Sequence, residues 1–133
     1  MLVMIDTNII ISAALNPVGK TCKALLKALN EPYTAVVSNY VLDELHRKLQ
    51  QKFPDKASEF EALLHHMLRA AIIVPTPSIK HQYEDKIRDI KDRPIYRAAL
   101  CIGADYILTG DKDFHEAGIQ FPRIISVQEF LAL

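Results

Sequence analysis

Four stretches of this 133-residue chain carry carboxylates that could serve one site: Asp6, Glu44, Asp92 and the Asp111/Asp113 pair. No Ser-His-Asp or Cys-His arrangement accompanies them, so covalent catalysis by a protein nucleophile has no evident footing. Oxygen-only donors without an associated His or Cys favour a hard divalent ion, Mg²⁺ or Mn²⁺, over Zn²⁺. Gathering several carboxylates is otherwise costly, because like charges raise one another's pKa. A site of this kind activates water and stabilises the departing oxygen of a phosphodiester.

The surrounding sequence says how these acids are positioned. The apolar run Leu2-Val3-Met4-Ile5 closes on Asp6, and Tyr106-Ile107-Leu108 closes on Thr109-Gly110-Asp111. Short apolar runs of this kind read as buried parallel strands. Open α/β sheets place ligands just outside the carboxyl ends of such strands. Between them, Val41, Leu42, Leu45 and Leu49 share one face of a helix at 100° per residue, with Glu44 at its margin and Asp43 further round. Asp92 precedes Pro94 at a helix start, where negative charge is favoured. Asp89 is the fallback for this third acid.

A coarse pass predicts strands over 1–6, 34–38, 71–74, 105–109 and 123–126. Helices are expected through Ile9-Ile10-Ile11, over 21–29 and 40–51, from Pro54 or Asp55 onward, and from Pro94 to about Ile102. Ser126 and Glu129 form a capping box for a last helix. Alternating strands and helices imply right-handed crossovers and a mostly parallel sheet. The fold class is therefore α/β, three layers (αβα) in a single domain over 1–133. The two consecutive helices after the second strand form a projecting arm.

Lys plus Arg equals Asp plus Glu, 16 each, so whole-molecule charge does not argue for a polyanionic partner. Any nucleic acid would have to be held by a local basic patch. No apolar run is long enough to span a membrane and no signal peptide is evident, so a cytoplasmic location is the expectation. Cys22 and Cys101 lie in apolar helical patterns and read as buried thiols.

Each motif also has an ordinary reading. Asp6-Thr7-Asn8 can cap a helix, Glu44 can be a helix-flank charge, Asp92-Arg93-Pro94 a turn entering a helix, and Asp111-Lys112-Asp113 an Asx turn. The functional reading rests on all four occurring in this order on this topology. His65-His66 reads as solvated surface. Lys91, Arg93, Arg97 and Lys112 flank the acids and are candidate phosphate contacts, Arg93 and Lys112 foremost by proximity.

Taken together, Asp6-Thr7-Asn8, the segment Ser38 to Leu45, the segment Asp89 to Leu100 and the segment Ala104 to Phe114 resemble the PIN-domain nucleases. More closely, the chain resembles toxin components of bacterial and archaeal toxin–antitoxin pairs of type II. The resemblance covers roughly 1–125, and its last motif, Ala-Asp-Tyr-Ile-Leu-Thr-Gly-Asp-Lys-Asp-Phe, is the most specific. It implies an endoribonuclease dependent on Mg²⁺ or Mn²⁺, working as a homodimer and blocked by a cognate antitoxin. By motif match, Asp6, Glu44, Asp92 and Asp111 are the catalytic metal-site acids and Asp113 an auxiliary one. Thr7, Asn8 and Thr109 orient carboxylates and water. Arg93 stands where some members carry a second acid. That departure keeps open a catalytically silent PIN-like module that binds RNA or protein. A phospho-aspartate phosphatase built on Asp6 is a third reading, but it wants an acid two residues on, where Asn8 stands.

Overall fold

The computed structural model describes residues 1–133. Five strands form one sheet: β1 Leu2–Ile5, β2 Thr34–Ser38, β3 Ile72–Val74, β4 Tyr106–Leu108 and β5 Arg123–Ile125. They run in the order β3-β2-β1-β4-β5, and every neighbouring pair is parallel. Seven helices cover it: α1 Thr7–Leu15, α2 Lys20–Ala28, α3 Asn39–Lys52, α4 Ala57–Ala70, α5 Arg93–Ile102, α6 Lys112–His115 and α7 Val127–Leu131. The expected α/β architecture is therefore present, with strand ends that differ from the sequence reading by about one residue where terminal pairing fades.

The order places β1 at the centre, between β2 and β4, so Asp6 emerges from the middle of the sheet. The chain reverses its winding at β1: β2 and β3 lie to one side, β4 and β5 to the other. Such a switch point opens a crevice at the carboxyl edge. Val3, Met4 and Ile5 are fully buried, as are Ala35 to Val37 and Ile107 to Leu108, because helices cover both faces.

Local signals fix the elements around that edge. The Ser38 hydroxyl accepts from the Val41 amide and starts α3 directly off β2. Gly103, at φ 70°, ends α5 in the left-handed conformation that a side chain would disfavour. The capping box of Ser126 and Glu129 closes in both directions. Helices α3 and α4 form the helical arm, joined by a short 3₁₀ turn over Pro54–Lys56. The arm is rooted by Phe60 and Met67, which are buried, while α4 packs on α1.

One thiol departs from expectation. Cys22 is buried on α2, but Cys101 is exposed. The buried stripe of α5 is Ile95, Tyr96, Ala98 and Ala99. At 100° per residue Cys101 falls on the opposite side of the helix, despite its apolar neighbours in sequence.

Candidate metal centre

Asp6 leaves the end of β1, where its amide donates to the Leu108 carbonyl, and its side chain is buried. The Thr109 hydroxyl donates to Asp6 Oδ2 at 2.7 Å. The same Thr109 oxygen accepts from the Asp111 amide at 3.0 Å. A single threonine thus ties the central strand's acid to the loop that carries the next one. Burial pushes Asp6 up to about 6, against the lowering effect of the Thr109 bond, with Glu44 and Asp111 adding like charge.

Asp89, Asp92 and Asp111 converge: each offers a carboxylate oxygen, and these lie within 4.8 Å of one another. Asp92 is buried at the start of α5, and its Oδ2 has no hydrogen-bond partner. Burial, the neighbouring Asp111 carboxyl, and the negative charge of Asp6, Asp111 and Asp89 push Asp92 up to about 9. An orphaned buried carboxylate oxygen facing two further carboxylates is a costly arrangement on its own. A cation with oxygen ligands about 2–2.5 Å away relieves it. The donor set therefore fits a divalent ion, which Asp92, Asp111 and Asp89 could hold.

Glu44 is buried on α3 and its charge reaches Asp6, while Asp43 is exposed, as the helical register anticipates. Glu44 and Asp6 stand beside the Asp89/Asp92/Asp111 group rather than within it. Asp113 donates its amide to Asp111 Oδ1 at 2.8 Å, and its own carboxylate faces Arg88 at 3.8 Å. Thr7 is buried, with a hydroxyl that finds no partner. Asn8 bonds no carboxylate; its amide oxygen accepts from Lys48 at 3.1 Å. Lys112 is exposed beside Asp111.

Arg93 and Arg97 serve the loop instead of lying open. Arg93 Nε donates to the Ile87 carbonyl at 2.9 Å, and its guanidinium pairs with Asp85 at 3.5 Å. One turn later on α5, Arg97 grips the buried Glu84 and donates to the Pro77 carbonyl. Asp89 folds its own turn, accepting from the Lys91 amide at 3.0 Å. Glu84 gave no sign in the sequence, since the chain from 75 to 92 has neither strand nor helix periodicity.

A PIN domain model matches residues 2–113, and the chain belongs to the PIN domain family. Solved structures share its fold. VapBC2 from Rickettsia felis, bound to a DNA fragment from its promoter, superposes with TM-score 0.71 at 20% identity, covering 95% of this chain and 98% of that one. FitAcB from Neisseria gonorrhoeae gives 0.60 at 20%, covering 95% and 98%. Mycobacterium tuberculosis VapC20, a toxin that cleaves the sarcin-ricin loop, gives 0.60 at 16%, covering 88% and 95%. No curated protein sequence matches the chain. No helix is long and apolar enough to cross a membrane.

Proposed function

We propose that the chain is a metal-dependent endoribonuclease, the toxin of a toxin–antitoxin pair. The observation that carries this reading is the unpartnered, buried Asp92 Oδ2 beside Asp111 and Asp89 at the carboxyl edge of the sheet. The toxin role is supported by the fold shared with VapC20 and with the VapBC2 and FitAcB proteins. An RNA substrate, a protein antitoxin and a homodimeric state belong to the same proposal.

Asp92, Asp111 and Asp89 would hold Mg²⁺ or Mn²⁺, with Asp6 and Glu44 facing the same space. When bound, the ion supplies Lewis-acid polarisation of the phosphodiester and a more acidic water. Asp6, kept ionised in part by its bond from Thr109, would accept or hold a proton at its carboxylate beside the substrate. Glu44 adds negative charge near Asp6 and helps keep the proton affinity of Asp6 high. Asp113 orients Asp111 through its backbone amide. Thr7 places a free hydroxyl beside Asp6.

Purified protein with Mn²⁺ or Mg²⁺ should cut a single-stranded RNA, and Asp6→Asn should abolish the cut. Equal cleavage by that variant rejects the assignment. A wild-type chain that binds Mn²⁺ yet leaves every RNA intact is the silent binding module instead.

A further inference from the structure

Five carboxylates at one edge repel a polyanion, and the neutral chain has no net attraction to offset this. The offset has to be local. Beside Glu44 lies a cleft of about 220 Å³ lined by Tyr40, Glu44, Arg47, Lys48, Lys52 and Lys91, together with Gln51. Four of the chain's cations therefore border one hollow, and that hollow shares Glu44 with the acid site.

Their arrangement has a direction. Tyr40, Glu44, Lys48 and Lys52 follow each other at i, i+4 along one ridge of α3, with Arg47 and Gln51 in the adjoining row. The ridge spans ~18 Å at 1.5 Å per residue. Its inner end, at Tyr40 and Glu44, meets the acids: the Tyr40 phenol lies in the field of Glu44, Asp92 and Asp89 as well as that of Arg47. Lys48 is steered toward the sheet edge by its bond to Asn8. Lys91 closes the far wall from the loop that carries Asp89 and Asp92.

We infer that this cleft is the binding track for the sugar–phosphate backbone of an unpaired RNA strand, leading away from the cut along α3. Arg47, Lys48, Lys52 and Lys91 contact successive phosphates, and Tyr40 offers a half-exposed ring on which a splayed base stacks. A duplex does not suit the track, because its bases are not free to reach Tyr40 beside the acids. The cations also offset the negative end of the α3 dipole, which would otherwise repel phosphate near Lys52. The ligand class rests on the ribonuclease reading, but the track does not depend on catalysis.

The test is equilibrium binding of a fluorescently labelled, unstructured RNA oligonucleotide, measured by anisotropy with Ca²⁺ in place of Mn²⁺ across a salt series. Each phosphate contact to a single strand contributes about 0.7 to the slope of log K against log salt. The Lys48→Gln/Lys52→Gln double variant should lose roughly 1.4 of that slope and weaken binding about 25-fold at 0.1 M salt. Tyr40→Leu should weaken binding without changing the slope. Arg69→Gln/Arg123→Gln, at the amino edge of the sheet and away from the acids, should change neither. An unchanged slope in the Lys48/Lys52 variant overturns the track, as does a wild type that binds no oligonucleotide or one that binds a fully paired hairpin equally well. Mn²⁺ binding by calorimetry, run on the same variants, should stay at the wild-type value. If the slope falls as expected but no RNA is ever cut, the track stands and the ribonuclease reading fails.

Discussion

Arg97 holds Glu84 with two nitrogens, Nε at 2.8 Å and Nη2 at 3.2 Å from the two carboxylate oxygens, while its third nitrogen reaches the Pro77 carbonyl at 2.8 Å. Glu84 is only 1% exposed, and the His81 amide adds a further bond at 3.0 Å. Hydrogen bonds from Arg97 and His81 hold its carboxyl below the usual glutamate range even though burial opposes them. This pair anchors an irregular segment to α5 just upstream of Asp89 and Asp92. Arg97→Ala should leave a buried, unpaired charge and cost about 3–5 kcal/mol. Urea unfolding measures it; a loss under 1 kcal/mol would show that the pair is incidental. A milder Glu84→Gln should leave the protein folded yet weaken Mn²⁺ binding in calorimetry; wild-type Mn²⁺ affinity would separate the strap from the acid site.

Thr109 is the second device. Thr109→Val keeps the shape but removes the donor to Asp6 and the acceptor for the Asp111 amide. Without the donor, Asp6 should rise above its value of about 6. The acid limb of the cleavage rate against pH should therefore move to higher pH in Thr109→Val and stay in place in Thr109→Ser. Coincident profiles for all three proteins would remove Thr109 from the site.

The stability of the ion-free protein should fall as pH rises. Asp6 and Asp92 both hold protons more tightly folded, at about 6 and about 9, than an unfolded aspartate near 3.9 does. Between these limits the folded state binds more protons, so unfolding free energy declines with pH. The stabilisation is complete below about pH 4 for these two groups, and is lost first through pH 6 and then through pH 9. Thermal melts in chelator should show a falling midpoint from pH 5 to pH 9, other groups held constant by comparison with Asp92→Asn. Mn²⁺ should flatten the curve, because a bound cation favours the ionised carboxylates.

The same repulsion predicts an opposed pair of effects in one variant. Asp92→Asn removes a buried acid crowded by Asp6, Asp111 and Asp89. Its ion-free melting midpoint at pH 8 should equal or exceed that of the wild type, while calorimetric Mn²⁺ binding should disappear. A variant that melts lower yet still binds the ion would contradict the site as drawn.

Cys101 should react with a thiol reagent in the native protein, and Cys22 only after denaturation, giving one and then two equivalents. Two fast equivalents would place Cys22 at the surface.

Much of this molecule is dictated locally. Hydrophobic runs ending in Asp6 and in Thr109-Gly110-Asp111 specify buried parallel strands with acids at one edge. The 3.6-residue period of α3 turns Glu44 inward and Asp43 outward, and Pro94 marks where α5 begins. Ser126 and Glu129 announce a cap that forms as written. These features depend on neighbours within one or two turns, so they are legible in order along the chain. What tertiary structure decides is how groups far apart in sequence are paired. Asp89 joins Asp92 and Asp111 because the 75–92 segment is strapped to α5 by Glu84, Arg93 and Arg97, and nothing periodic in that segment reveals the strap. Arg93 and Arg97 look like free cations in sequence but are consumed by carbonyls and carboxylates in the fold. Asn8 turns to Lys48 instead of to an acid, and Cys101 lies on the wrong side of its helix to be buried. Periodicity determines which face of an element is buried. The partner of a polar group is set by which distant segment is packed against it.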